Sequence, residues 1–274
     1  AQRVFSGRAT KVLPELELAG GSPGGARPKV VVGLGPDDEV LAGAHDLPSG
    51  FQHWLIKFTA KPDPSDMGPL EEAYAVLARK AGIEVMPTRV FAIDRQRRVF
   101  ATQRFDRVGN RRLHLHTIGG LLHASHRLPS LDYKSVIAAT IALTKDRSQG
   151  FEVFRRAAFN VLFSNRDDHA HNCSYLMNGR GEWSLSPAYD LTPSSGPGGH
   201  HSTSIMGQSL RPTRQHLIDL AASADFKRSD AEAALKKVER AVDAFPKVAK
   251  EVGVSATTMK WVQKQLDAVR RDYA

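Results

Sequence analysis

The chain has 274 residues, 41% of them hydrophobic, which is enough apolar material for a sizeable core in one two-lobed domain. No run of eighteen apolar residues and no signal-peptide pattern occurs, which argues against a transmembrane helix. The single cysteine, Cys173, excludes an internal disulfide framework and predicts a protein of the reducing cytoplasm. The net charge of +9 is scattered, which indicates a generally basic surface rather than a dedicated nucleic-acid footprint.

The chain up to about residue 106 has the pattern of a small β-rich lobe with one helix. A Gly-rich loop at residues 20–28 comes first. The predicted strands cover residues 29–33, 54–58, 85–93 and 98–105. Apolar residues recur at helical spacing over residues 70–81, which predicts a helix, and Gly82 suits its C-cap.

After residue 107 the apolar spacing becomes mainly helical. The predicted helices cover residues 135–144, 151–163, 214–224, 229–244 and 255–271. A β-hairpin is predicted over residues 175–185, around Asn178-Gly179. The fold class is therefore α+β: a two-lobed protein-kinase-like fold, with a β-rich N-lobe over residues 1–106 and a larger, mostly helical C-lobe over residues 107–274.

Three polar residues follow the predicted helix at 151–163 in a spacing that suits phosphoryl transfer. Asp167 and Asn172 have the D-x-x-x-x-N spacing of a kinase catalytic loop, and Asp190 follows at the end of an apolar run. Asp167 would orient the acceptor hydroxyl, whereas Asn172 and Asp190 would hold Mg²⁺ through oxygen. The neighbouring Asp168 lacks this spacing to Asn172, and we expect it to be structural.

The longer sequence around these residues is more specific than their spacing alone. The runs FNVLFSNRDDHAHN at 159–172 and LSPAYDLTPS at 185–194 resemble the HipA family, bacterial serine/threonine kinases that act as toxins in toxin–antitoxin systems. The resemblance extends through RFDR at 104–107, WLIKF at 54–58 and the Gly/Ser stretch at 20–29, and covers roughly residues 18–205. The C-terminal helices show no shared motif.

The resemblance implies an ATP site. Lys57 matches the strand lysine that contacts the α- and β-phosphates, with Glu71 as its helix partner and Glu72 as the alternative. The loop containing Ser22, Gly24, Gly25 and Ala26 matches the phosphate-covering loop, where a family serine is autophosphorylated and the loop is then expelled. Ser22 occupies that position. Backbone groups of Gln103 and Phe105 would pair with adenine, Asp106 would lie near the ribose, and His169 near the nucleotide.

At position 171, where family members commonly carry Lys, this chain has His171. A fixed positive charge near the phosphates is thereby replaced by a titratable one. This departure keeps open a catalytically weak pseudokinase, or a nucleic-acid-associated binding module, as an alternative to an active kinase.

The resemblance also implies partners. We expect a helix-turn-helix antitoxin, DNA contact only through that antitoxin, and a protein substrate such as an aminoacyl-tRNA synthetase. Little precedes the Gly-rich loop, so we expect the family's N-terminal subdomain either to be truncated or to be supplied by a separate small protein, as in the split, HipT-type form.

A His/Asp metallohydrolase is a second alternative, of a different class. Its ligands would come from six residues that have metal-binding side chains, namely Asp167, Asp168, His169, His171, His200 and His201. Their spacing is not that of an H-E-x-x-H motif, and such an enzyme would leave Lys57 and the Gly-rich loop unexplained.

Overall fold

A computed structural model describes residues 5–18, 27–44, 46–60, 63–94, 97–124 and 131–273. The predicted phosphate-covering loop, with Ser22, Gly24, Gly25 and Ala26, lies outside the described residues. The chain forms two compact units. Unit 1 consists of residues 1–73, 86–113 and 249–258, and unit 2 of residues 74–85, 114–248 and 259–274.

Unit 1 is built on a six-stranded antiparallel sheet. Its strands, in chain order, are β1 (Phe5–Arg8), β2 (Lys29–Leu34), β3 (Glu39–Ala42), β4 (Gln52–Lys57), β5 (Thr88–Ala92) and β6 (Arg98–Gln103). Their spatial order is β1-β3-β2-β4-β6-β5, so β4 is an interior strand between β2 and β6. A short hairpin of β7 (Arg107–Val108) and β8 (Arg111–Arg112) follows β6.

The core of unit 1 lies between this sheet and helix α1 (Ala9–Leu18). Ala9, Val12, Leu13 and Leu16 recur at helical spacing and are all buried against the sheet residues Val32, Val40, Trp54, Ile56 and Val99. Helix α2 (Met67–Lys80) follows β4 in the chain, and its residues up to Ala73 belong to unit 1.

Unit 2 is mainly helical. The remaining helices are α3 (Ile118–Leu121), α4 (Tyr133–Thr144), α5 (Arg147–Leu162), α6 (Arg214–Ser223), α7 (Arg228–Asp243), α8 (Phe245–Glu251) and α9 (Ala256–Tyr273). The end of α8 and the start of α9, within residues 249–258, belong to unit 1. Helix α5 carries ten buried residues and packs against α4 and α7. Among the helices of the described residues, none is long and apolar enough to cross a membrane.

Two small sheets accompany these helices. The first is antiparallel and contains β9 (His114–Thr117), β11 (Ser174–Met177) and β12 (Trp183–Leu185), with β11 in the centre. The second pairs β10 (Leu131–Asp132) in parallel with β13 (Thr203–Ser204), which joins two segments about seventy residues apart in the chain.

Most of the predicted elements are confirmed with shifted ends. The predicted strands correspond to β2, β4, β5 and β6, the hairpin to β11 and β12, and the helices to α2, α4, α5, α6, α7 and α9. The prediction missed helix α1, whose interior Pro14 interrupts the usual sequence signal. It also missed the seven-residue helix α8 and several elements of two to four residues, which are too short to show a period: β1, β3, β7, β8, β9, α3, β10 and β13.

Candidate active site

Lys57 and Glu71 form a buried ion pair in unit 1. Lys57 ends strand β4, and the antiparallel register places it opposite Phe100, whose ring lies 5.7 Å from the Lys57 Nζ atom. The Nζ atom donates a hydrogen bond to Oε1 of Glu71 on helix α2. Both side chains are less than 10% exposed, so each charge depends on the other for compensation. Of the two glutamates that the sequence allowed, the structure pairs Glu71 with Lys57.

The segment after β6 is fixed by Asp106. Its carboxylate accepts hydrogen bonds from Arg104 at 2.6 and 2.9 Å and from Arg107 at 2.6 Å. Burial alone raises the pKa of Asp106, but the hydrogen bonds and charges of Arg104 and Arg107 outweigh it and hold the pKa below its ordinary value. The N–H of Gln103 donates to the Pro87 carbonyl at 3.0 Å, so any backbone pairing of Gln103 with adenine must use its carbonyl.

Helix α5 delivers the chain into the loop at residues 165–172. The helix begins at an N-cap, where the Asp146 carboxylate accepts a hydrogen bond from the Ser148 N–H at 2.8 Å. Its C-terminal end is held by the Tyr74 hydroxyl, which donates to the Phe163 carbonyl at 3.0 Å. Ser164 then adopts a φ of 53°, which turns the chain out of the helix. The loop therefore starts from a fixed, buried base.

Asp167 lies in this loop with its side chain 59% exposed. The Asn172 Nδ2 atom donates to the Asp167 backbone carbonyl at 2.7 Å, so the two residues of the D-x-x-x-x-N spacing are joined directly. His169 Nε2 lies 4.0 Å from the Asp167 carboxylate, and its Nδ1 accepts the His171 N–H at 3.2 Å. An exposed carboxylate on a braced loop is suited to orienting an acceptor hydroxyl.

Asp190 lies in a second braced turn. Its φ of 55° is in the left-handed region, which a non-glycine residue adopts at some cost in strain energy. Asn165 of the 165–172 loop donates to the Asp190 carbonyl at 3.4 Å. The preceding Tyr189 donates its hydroxyl to the His171 carbonyl at 2.6 Å. These two bonds tie both ends of the 165–172 loop to the turn that carries Asp190.

Asp168 has the opposite environment to Asp167. Its side chain is about 1% exposed and lies against His201, whose Nδ1 is 3.1 Å from the Asp168 carboxylate. The expected structural role of Asp168 agrees with this placement.

The six candidate metallohydrolase ligands do not form a metal site. His201 is bonded to Asp168, and His200 Nδ1 is bonded to the Ser209 hydroxyl at 2.8 Å. Over the ranges that the structure describes, no group of three His, Cys, Asp or Glu side chains is arranged to hold a metal ion. The metallohydrolase hypothesis is therefore wrong for these residues.

Sequence reasoning missed a set of buried polar residues behind the loop. Asn165 donates to Asn160 Oδ1 at 3.0 Å, and Asn160 donates to the Tyr133 hydroxyl at 2.8 Å. The available signal was Asn160 itself, a polar residue at a core position of the apolar helix α5. Its partners could not be predicted because they lie on other elements.

Comparison with solved structures defines the class of fold. The chain matches HipA of Shewanella oneidensis MR-1, solved with HipB and operator DNA, with a TM-score of 0.72 and 16% identity over 99% of this chain and 72% of that one. It also matches the Helicobacter pylori proinflammatory kinase CtkA, with a TM-score of 0.53 and 13% identity over 81% of this chain and 88% of that one. No curated protein sequence matches. The fold is thus α+β and protein-kinase-like.

The family follows from the sequence itself. The family described as the HipA-like C-terminal domain matches residues 21–245. The chain belongs to this family, and its fold is that of a HipA-like kinase domain.

Proposed function

We propose that this chain is an ATP- and Mg²⁺-dependent serine/threonine protein kinase of the HipA toxin type. The observation that carries the proposal is the 165–172 loop, in which an exposed Asp167 carboxylate is braced by Asn172 and Asp168 is turned inward. Phosphoryl transfer relies mainly on positioning and electrostatic stabilisation, and a braced loop provides the first of these. Asp167 orients the acceptor hydroxyl and accepts its proton.

The metal ligands under this proposal are Asn172 and Asp190. The Asn172 amide nitrogen is used in the bond to Asp167, so its amide oxygen is the atom presented to a cation. Amide and carboxylate oxygens are the donors that a hard cation such as Mg²⁺ requires. The chemistry that bound Mg²⁺ supplies is neutralisation of the phosphate charge.

The buried Lys57–Glu71 pair supports a nucleotide role for unit 1. An ammonium held by a carboxylate at the end of an interior strand is oriented rather than mobile, and we assign it to the α- and β-phosphates. We assign the adenine and ribose contacts to Gln103, Phe105 and Asp106, and a nucleotide contact to His169. The phosphate-covering loop contains Ser22, Gly24, Gly25 and Ala26, with Ser22 as the autophosphorylated residue.

The partners in this proposal follow from the family. The Shewanella relative was solved with HipB and operator DNA. For this chain we propose an antitoxin of the helix-turn-helix type, with DNA contacted through that antitoxin. The substrate class that we propose is a translation component such as an aminoacyl-tRNA synthetase, phosphorylated in the cytoplasm. Residues 1–106 and 107–274 remain our predicted division into nucleotide-binding and catalytic lobes.

The proposal is tested by the metal dependence of ATP binding and transfer. Wild-type protein should bind ATP more tightly with Mg²⁺ than with EDTA, measured by calorimetry, and should acquire phosphate only with Mg²⁺. Asp190→Asn should lose most of this difference because a carboxylate ligand is removed. Asp219→Asn, which alters an exposed carboxylate bonded to Gln215 on helix α6, is the matched control and should behave as wild type. Equal ATP affinity with and without Mg²⁺ in the wild type would contradict the proposal.

A further inference from the structure

The segment that contains His201, Ser202 and Thr203 is tied to the catalytic loop through one buried carboxylate. Oδ1 of Asp168 accepts hydrogen bonds from the backbone N–H groups of Ser202 at 2.8 Å and Thr203 at 3.2 Å. Oδ2 accepts from the Tyr133 hydroxyl at 3.0 Å and is 3.1 Å from His201 Nδ1. Since a carboxylate only accepts, the proton of the His201 ring lies on Nδ1.

The backbone on each side of Asp167 joins the same segment. Thr203 Oγ1 donates to the Asp168 carbonyl at 2.6 Å. The N–H and hydroxyl of Ser202 both donate to the Arg166 carbonyl at 3.1 Å. The residues before and after Asp167 are therefore both bonded to the segment at 202–203, which holds the backbone from which the Asp167 side chain projects.

The segment is also held from its other side. Strand β13 pairs in parallel with β10, and the Ser204 hydroxyl donates to Asp132 Oδ2 at 2.7 Å. The same Asp132 oxygen accepts the Gly207 N–H at 2.8 Å. The segment at 201–204 is thus a rigid part of unit 2, bonded to both the catalytic loop and the start of helix α4.

The buried carboxylate of Asp168 is the group on which the position of the segment at 201–204 depends. A buried carboxylate is expensive unless its oxygens are satisfied, and here four donors satisfy it. Removal of the carboxylate takes the acceptor from the Thr203 N–H and from two buried side chains, and it leaves the Ser202 N–H with the Arg166 carbonyl alone. Asp168 is joined to the segment and to Tyr133 rather than to the residues that we assign to phosphates and metal.

We propose that Asp168 is a positioning residue for the phosphate acceptor: it fixes the segment at 201–204 beside Asp167 as a wall of the acceptor site. The inference rests on the proposed kinase function. The acceptor hydroxyl must come within hydrogen-bond reach of Asp167, so the backbone bonded to residues 166 and 168 limits where an acceptor chain lies. Loss of the anchor should therefore slow transfer and leave nucleotide binding intact.

The test combines hydrogen exchange with autophosphorylation kinetics on the full chain. In Asp168→Asn, the side chain loses its charge and keeps one accepting oxygen where the carboxylate has two, so it cannot satisfy all four donors. The amides of Ser202 and Thr203 should therefore exchange faster. The maximal autophosphorylation rate at saturating Mg·ATP should fall on the order of 100-fold, as for a small misplacement of reacting groups. The ATP concentration at half-maximal rate and the calorimetric ATP affinity should stay as in wild type.

Tyr133→Phe is the milder second variant, since it removes one donor and keeps the charge. Tyr133→Phe should also speed amide exchange at 202–203 and lower the maximal autophosphorylation rate, each by less than Asp168→Asn does. It therefore provides a test even if Asp168→Asn does not fold. Asp219→Asn is the control for a neutralised exposed carboxylate. Unchanged exchange at 202–203 in both variants, or a loss of ATP affinity parallel to the loss of rate, overturns the positioning role. Absence of any transfer in the wild type instead overturns the proposed function, and the acceptor role with it.

Discussion

Asp167 and Asp168 are adjacent in the chain and have opposite environments. The first has a side chain that is more than half exposed, and the second is almost completely buried. The spacing to Asn172 singled out Asp167 as the predicted catalytic residue, and in the structure Asn172 donates to the Asp167 backbone carbonyl. The partners of Asp168 were not predictable, because Tyr133 and His201 lie more than thirty residues away on either side.

The Lys57–Glu71 pair yields a prediction about stability and binding. Lys57→Met leaves the Glu71 charge buried and unpaired, so the free energy of unfolding should fall by roughly 3–5 kcal/mol. ATP binding should be lost as well. Urea denaturation measures the free energy of unfolding, and calorimetry measures the ATP affinity.

The double variant Lys57→Met with Glu71→Leu separates the two effects. It removes both charges, so stability should return most of the way to that of the wild type while ATP binding stays lost. Wild-type ATP affinity in the double variant would show that the ammonium does not contact the nucleotide.

At the scale of elements, sequence periodicity predicted the long segments and failed on the short ones. Helix α5 shows a clear apolar face because ten of its residues are buried. Strands such as β10 and β13 have two residues each and exist only because a distant segment pairs with them. Strand β1 pairs with β3 in the same way, through a contact that no local pattern encodes.

The segment after β6 gives a prediction about pH. The folded-state pKa of Asp106 is depressed because Arg104 and Arg107 outweigh its burial. Such a carboxyl adds stability above the pKa of the unfolded chain, about 3.9, and this contribution is lost as the pH falls through the folded-state pKa. Asp106→Asn should therefore be less stable than wild type at neutral pH. As the pH falls below about 4, the variant should lose less of its unfolding free energy than the wild type does. The free energy of unfolding is measured by denaturant titration over a range of pH. Curves that run parallel for the wild type and Asp106→Asn would refute this prediction.

At the scale of the whole molecule, the family assignment and the fold agree with what the motifs predicted. The HipA-like C-terminal domain covers residues 21–245, whereas the quoted motifs covered roughly 18–205. The additional residues are amphipathic helices, which sequence motifs do not mark because any apolar side chain of suitable size can fill the core.

The Gly-rich loop carries a prediction about self-regulation. A phosphate on Ser22 adds about −2 charge beside the ATP phosphates, so repulsion should expel the loop and reduce ATP affinity. Wild-type protein incubated with Mg·ATP should acquire one major phosphate within residues 20–26, located by mass spectrometry. Ser22→Ala should lose it, and Ser195→Ala, at an exposed serine between β12 and β13, should keep it. A main phosphosite outside residues 20–26 would refute self-regulation and leave the kinase proposal standing.

The role of Asp167 in phosphoryl transfer can be measured in the variant Asp167→Asn. We expect this variant to keep wild-type thermal stability and wild-type affinity for Mg·ATP and to acquire no phosphate, since only the carboxylate that orients the acceptor hydroxyl is removed. Intact-mass spectrometry after incubation with Mg·ATP is the measurement, with Asp219→Asn run in parallel. Phosphate accumulating on Asp167→Asn at the wild-type rate would show that the Asp167 carboxylate is not needed for transfer.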